Sequence, residues 1–306
     1  MYYNRNRLAQ IEVPIEELDI SKRDTMDRIA TKHGHFDWIF HLAAQCGVPP
    51  SIARPQRDFE VNAVGTINVL EYARARGGDC GVVYASTNKV YPIHGGWERE
   101  DGRWRWSDKT LHKFGWPVEG MSRENCRGTR TPYGTSKYAG DLYCQEYAQL
   151  YNLRVGVFRM SCIVGEHQLS FAEQGWITWF AIANQRRDEV TVFGDGQQVR
   201  DVLHVSDVVE AYDSFVRSPI QHGVWNLGGG PKQATSINEC LLSLQEISGI
   251  KFKEVFYTDW RQSDQRCYTS DIRPIMKELK WRPSVGLEQI YERVVAWVAS
   301  SQGHVL

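Results

Sequence analysis

Short apolar runs alternate with long helical ones through the first half of this chain, and that alternation limits the possible folds more than any other feature. Asp37–Leu42 (DWIFHL), Gly81–Ala85 (GVVYA) and Arg154–Arg159 (RVGVFR) are brief and rich in apolar or β-branched residues, as strands covered on both faces are. Between them, Arg57–Arg76 places Phe59, Val61, Val64, Ile67 and Leu70 at helical spacing, and Tyr133–Tyr151 is a second long helical pattern. Strand, helix, strand, helix, strand is the order of a parallel sheet with helices on both sides. Further along, the spacing predicts a helix over Ile177–Arg186, a strand over Val190–Phe193 and a turn at GDG. The chain from Ser236 onwards carries a helix, the strand Lys253–Tyr257 and a last helix near Leu287–Val298. The stretch from Tyr91 to Pro132 breaks the pattern, being polar and longer than an ordinary connection. An insertion after a strand's carboxyl end falls where open α/β sheets bind ligands. Its mixed charges around Trp97–Arg105 read as solvated surface.

With 306 residues there is room for one large domain or two unequal ones. A net charge of -1 gives no electrostatic reason to expect a nucleic-acid or anionic-membrane partner. The seven cysteines are scattered, with no CxxC, and the nine histidines form no HExxH, so no metal site is expected. Dispersed thiols fit a cytoplasmic protein. The first ten residues form no apolar signal core, and no apolar run approaches the roughly 18 residues a membrane helix needs. Tryptophan is frequent, but each stands singly, and most read as packing, with one or two left to line a site.

One stretch carries chemistry: TPYGTSK, residues 131–137. Pro132 and the small residues place Tyr133 at or near a helix start, with the proline just outside. Tyr133 and Lys137 then project from the same face, one turn apart. A free phenol titrates near 10 and is a poor base at neutral pH, whereas an adjacent ammonium favours the phenolate. Alone, the spacing also suits a helix entrance with a solvated lysine. Its company decides the matter, because GVVYA runs into Ser86 and Thr87 at the strand's carboxyl end. A threonine hydroxyl, a phenol and a lysine are the groups that manage an alcohol proton during hydride transfer.

The order and spacing of HLAAQ (His41–Gln45), NAVGT (Asn62–Thr66), STNKVY, YGTSK, FRMSCIVG (Phe158–Gly165), VRDVLHVSD (Val199–Asp207), NLGGG (Asn226–Gly230) and RQSD (Arg261–Asp264) resemble the extended short-chain dehydrogenase/reductase family, the nucleotide-sugar epimerases and dehydratases. The resemblance covers nearly the whole chain. STNKVY, EQGW (Glu173–Trp176), QVRDVLH and DWRQSDQR look most like the branch that epimerises CDP-linked dideoxyhexoses at C2. The resemblance implies a Rossmann-like doubly wound parallel sheet and an NAD-binding domain over 1–164 and 200–229. A smaller nucleotide-sugar-binding domain would occupy 165–199 and 230–306. It also implies a catalytic set of Thr87, Tyr133 and Lys137. NAD contacts are implied at Leu42, Ala43, Ala44, Gln45, Asn62, Ser86, Tyr133, Lys137 and Arg159. Substrate contacts are implied at Asn88, Gln174, Trp176, Arg200, Arg261 and Asp264, and the assembly as a homodimer through the helix that starts at Tyr133. Guanidinium forks at Arg200 and Arg261 suit phosphate oxygens. For Arg200 a salt bridge to Asp201 or Asp207 is the competing reading. Asp264 is placed to accept a ribose hydroxyl, and a tryptophan at 176 could equally be packing. Related 4,6-dehydratases carry an acidic pair directly after the threonine, and this chain has Asn88 and Lys89, which suit epimerisation better than loss of water.

One expected element is missing. No GxxGxxG precedes the first recognisable block, and neither NLGGG nor GDGQQV has its spacing. LDISKRD (Leu18–Asp24) already resembles the segment after the second or third strand of such a fold. The fold is therefore expected to lack its N-terminal βα unit. Either the sequence is a truncated or mis-started form of a normal enzyme, which the otherwise intact set of site motifs favours, or it is a shortened relative that folds differently, a non-catalytic binder of sugar nucleotides that has lost the NAD fingerprint; an epimerase or reductase for another nucleotide sugar is the third reading.

Overall fold

Four parallel strands form the main sheet, and they lie side by side in chain order: β1 (Trp38–His41), β2 (Gly81–Thr87), β3 (Val155–Met160) and β4 (His222–Leu227). The computed structural model describes residues 13–77, 79–92, 96–118, 129–171, 174–261 and 264–300. The ends of the expected domain division, 1–12 and 301–306, lie outside them. Every residue of β2 is buried, as its unbroken apolar run requires of a strand covered on both faces.

Helices make the crossovers. Pro55–Phe59 and Gly65–Arg74, joined by a π turn at Glu60–Val64, connect β1 to β2. Pro132–Tyr151 connects β2 to β3, and Val205–Arg217 precedes β4. The pleat sends alternate residues of β2 to opposite layers. Val82 and Tyr84 pack with Val69, Leu70, Cys144 and Ala148, while Val83 packs with Phe158, Tyr212, Phe215 and Trp225. Among the described residues, β1 pairs with β2 alone, and Phe40 and Leu42 along its edge are exposed.

A second set of strands carries the other half. Val199–His204 pairs in parallel with Cys162–Val164 and Cys267–Tyr268, and antiparallel with Ala234–Ser236. Glu189–Phe193 lies parallel to Glu254–Thr258. Helices Trp176–Arg186, Ile237–Ser248 and Leu287–Ser300 pack over them through Ile177, Phe180, Leu241, Leu244, Ile290 and Val294. Ser236 and Glu239 close a reciprocal capping box on the second of these helices. Val199–His204 serves more than one core: Val202 packs in this second one, whereas Leu203 packs with Val83 and Phe158 of the main sheet.

Two expectations change. Pro132 is not outside its helix but is the first residue in it, where its missing N–H costs nothing. The stretch after Tyr91 is not merely solvated loop. It contains a hairpin, Trp97–Glu100 against Arg103–Trp106, and a short helix, Lys109–Phe114. Asp101 and Gly102 turn the hairpin with φ of 49° and 77°, the two left-handed positions of a tight hairpin turn. Trp104 anchors it by donating to Asp195 Oδ2 at 3.0 Å, and Arg99 pairs with the same carboxylate. Trp106 is buried beside Trp116 and Tyr268, so these tryptophans do pack. Residues 119–128 of the insertion lie outside the described residues.

Candidate active site

The Pro132–Tyr151 helix is capped by Thr131, whose hydroxyl accepts the Gly134 N–H at 3.2 Å. Two glycines let this helix lie directly on β2 and the turn that follows it. A Cβ on Gly134 would stand 2.3 Å from the Lys89 carbonyl oxygen, and one on Gly140 would stand 2.5 Å from the Tyr84 hydroxyl. The close approach brings Tyr133 to Thr87, the last residue of β2. Burial pushes the Tyr133 phenol above its usual range, Cys46 and Asp58 push the same way, and the facing Thr87 hydroxyl favours the ionised form. Lys137 is buried, its Nζ 4.2 Å from the centre of the Tyr84 ring. Burial brings that ammonium down to about 8, against the pull of Cys46, Cys144, Asp141 and Asp58. In this geometry burial, rather than the lysine, sets the acidity of Tyr133.

The next turn of the helix adds a group that the sequence pattern does not single out. Asp141, fully buried, receives both arms of Arg159 at 2.9 Å and the Ser86 hydroxyl at 2.6 Å. Arg159 also donates to the Tyr91 hydroxyl at 3.3 Å, and Tyr91 donates to Asn226 at 2.6 Å. Ser86 and Arg159, expected beside the cofactor, thus meet in an internal network that ties the helix to the carboxyl ends of β2, β3 and β4. Spacing holds the clue, because Tyr133, Lys137 and Asp141 recur every four residues along one face.

Asn62 performs a similar task at β1. Its Oδ1 accepts the Gln45 N–H at 2.8 Å, and its Nδ2 donates to the Gln45 carbonyl, Asp58 and Ser136. Asp58 accepts the Ser136 hydroxyl as well, so the Gln45 loop is held against the Tyr133 helix. His41 sits behind it. The Thr66 hydroxyl donates to the Asn62 carbonyl, leaving its oxygen to accept from His41 Nε2 at 2.9 Å.

On the strand Val199–His204, Arg200 donates to Asp264 at 2.9 Å and to the Gln265 carbonyl at 2.7 Å. Neither Asp201 nor Asp207 serves as its partner: Asp201 receives Ser161 and the N–H groups of Gly230 and Ser270, and Asp207 receives Ser284 and Val285. Arg261 stacks its guanidinium 4.1 Å from the centre of the Phe193 ring. Trp176 opens its helix and donates to Cys162 Sγ at 2.9 Å. Asn88 is buried and accepts the Thr87 hydroxyl at 3.3 Å. Gln174 is exposed, paired through its backbone with Phe171. Glu173 of EQGW and the Gln-Ser of RQSD lie outside the described residues.

This order of elements is that of a described family. The model of the NAD dependent epimerase/dehydratase family matches residues 2–228. The chain belongs to that family. It is 32% identical over 293 residues to the CDP-paratose 2-epimerase of Salmonella typhi, which covers 92% of this chain and 83% of the relative. It is 29% identical to a putative UDP-glucose 4-epimerase of Methanocaldococcus jannaschii, with the same coverage. Among solved structures, the UDP-glucose 4-epimerase of Thermotoga maritima with UDP-glucose superposes with a TM-score of 0.79 at 28% identity, covering 94% of this chain and 84% of that one. The Thermus thermophilus UDP-glucose 4-epimerase in complex with NAD gives 0.76 at 27% identity, over 94% and 86%. The Rossmann-like α/β fold is therefore that of an NAD-dependent sugar-nucleotide enzyme, as the motifs imply.

The residues present fit the nicotinamide end of NAD. Leu42 and Ala43 leave the carboxyl end of β1 open, Ala44 adds no bulk, and Gln45 Oε1 is buried without a hydrogen-bond partner. Lys137 and Tyr133 flank the same end of the sheet. For the pyrophosphate the sequence offers no GxxGxxG turn. Among the described residues no cluster of three or more His, Cys, Asp or Glu is placed to hold a metal ion, and no helix is long and apolar enough to cross a membrane.

Proposed function

We propose that this enzyme inverts C2 of a CDP-linked dideoxyhexose through a transient keto sugar. The observation that carries the reading is the approach of Tyr133 to Thr87, at the carboxyl end of β2 and beside buried Lys137. The similarity to CDP-paratose 2-epimerase supports the choice of sugar and base. NAD, when bound, supplies a reversible acceptor for the hydride at the carbon being inverted. Tyr133 takes the hydroxyl proton as the carbonyl forms and gives it back once the sugar has turned over. Thr87 hydrogen-bonds the reacting oxygen, and Lys137 offers its charge to the phenolate and to the nicotinamide ribose. Arg200 and Arg261 would take the diphosphate, with Asp264 on the ribose and Asn88, Gln174 and Trp176 toward the sugar. Asn88 and Lys89 supply no acid and base pair for dehydration. Leu142, Tyr143 and Leu150 expose an apolar face on the Tyr133 helix, which supports a homodimer, while Tyr147 turns inward to Glu71.

The test is turnover of CDP-paratose and CDP-tyvelose by the parent and by Tyr133→Phe. The variant is expected to lose about 10²–10⁴-fold in kcat while retaining its bound NAD, read from nicotinamide absorbance. Undiminished turnover removes the phenol from the chemistry. Turnover of UDP-glucose in place of the CDP sugars would move the substrate, not the mechanism.

A further inference from the structure

We propose that Lys89 binds the substrate: its ammonium and the Arg200 guanidinium together take one phosphate of the nucleotide diphosphate. The inference rests on the nucleotide-sugar reading and adds to it a residue between the catalytic threonine and the phosphates.

Lys89 follows Thr87 by two residues, on the single 3-10 turn Asn88–Val90 that ends β2. Its N–H donates to the Thr87 hydroxyl at 3.3 Å, so the turn is fixed relative to the catalytic oxygen. The side chain is partly buried and crosses to the other half of the molecule, where Nζ donates to Gln265 Oε1 at 3.2 Å. That amide is neutral. An ammonium has three protons to place, and removing it from water without a counter-charge is unfavourable.

The charges facing it come from three elements. Arg200 stands on the Val199–His204 strand, Asp264 on the loop before Cys267, and Cys162 on the short strand after β3. Asp264 is the carboxylate of the group, and Arg200 already holds it at 2.9 Å. Cys162 stays a neutral thiol, pushed up to about 11 by burial. Among the described residues, two cations thus share one carboxylate, and the cluster carries an excess positive charge. Burial first, and Arg200 second, bring Lys89 down to about 8. A lysine present only for packing would sit better as an apolar side chain. An anion between Lys89 and Arg200 supplies the missing charge, and the neighbouring sugar is held at a set distance from Thr87.

Isothermal titration of CDP, UDP and GDP, and of cytidine as the phosphate-free control, into the full chain tests this. For the diphosphate that the parent binds, Lys89→Met is expected to weaken binding about 10–100-fold, and Lys89→Arg to restore most of it. Cytidine affinity and NAD content should not change, and the melting temperature of Lys89→Met should equal or exceed the parent's. A bound anion raises the lysine's pKa, so the parent at pH 8 takes up protons on binding, read from the dependence of the enthalpy on buffer ionisation. Lys89→Met should lose that uptake. Equal diphosphate affinities in parent and Lys89→Met, or proton uptake that survives the substitution, would overturn the assignment and leave the nucleotide-sugar reading intact. A parent that binds none of the three diphosphates would overturn both.

Discussion

Replacing Asp141 by Asn tests how the helix that carries Tyr133 is held. The carboxylate is fully buried and is met by both arms of Arg159 at 2.9 Å, by Ser86 at 2.6 Å and by Gln145 at 2.7 Å. An amide of the same shape still accepts from Ser86 but leaves the Arg159 charge buried without a counter-ion. Breaking a buried pair in this way costs about 3–5 kcal/mol. With an unfolding entropy of about 2.1 cal/mol/K per residue, 306 residues turn that into a fall of about 5–8 °C in Tm. Adding Arg159→Met removes the stranded charge and should recover more than half of the loss, because an apolar group of similar volume replaces a buried ion at little cost. Activity reports on the same joint. Ser86 precedes Thr87, so loosening Asp141 lets the threonine drift from Tyr133, and a misplacement of about 1 Å costs about 10²-fold in rate. The assay is thermal unfolding by circular dichroism, with turnover measured where parent and variant are both folded. If Asp141→Asn melts within about 1–2 °C of the parent, or the double variant melts below the single one, the pair does not hold the helix as argued.

Other substitutions probe other joints. Gly134→Ala puts a methyl group 2.3 Å from the Lys89 carbonyl, so the helix must retreat and kcat should fall about tenfold or more; an unchanged kcat would show that the contact yields freely. His41 is brought down to about 3, by burial and then by Lys137, whereas in the unfolded chain it titrates near 6.5. The unfolded chain binds the extra proton, so this contribution to stability is complete above about pH 6.5 and is lost as pH falls toward 3. Urea midpoints from pH 7 to 4 should drop less steeply for His41→Gln than for the parent, and parallel slopes would exclude the histidine. Asp195→Ala removes the acceptor for Trp104 and Arg99 and should cost about 1–3 kcal/mol, with earlier proteolytic cleavage in the Trp97–Trp106 hairpin; unchanged cleavage would mean that other contacts hold it.

How much of the molecule is legible in its sequence depends on how locally each feature is encoded. β1, β2 and β3 announce themselves because a strand buried on both faces needs an unbroken apolar run, and the two long helices keep their spacing over several turns. The strand His222–Leu227 does not, because Gly223 interrupts it and only pairing with β3 shows its place. The hairpin hid behind alternating charges, although Asp101-Gly102 was its signal. Of the proposed site, Thr87, Tyr133 and Lys137 can be picked out by spacing and position. Asp141 shares their four-residue spacing, but an acid in a mixed helix looks solvated until its partner Arg159, 18 residues on, is placed beside it. Arg200 shows the same limit, since its carboxylate lies 64 residues away, not on its own strand or helix.

The strand Val199–His204 gives Val202 to one interior and Leu203 to another, and carries Arg200, which holds Asp264. A beam shared by both halves leaves little freedom for one to rock against the other. Recognition here would then depend on a surface already shaped before the sugar arrives, and a change in any side chain of that beam should be felt on both of its sides together.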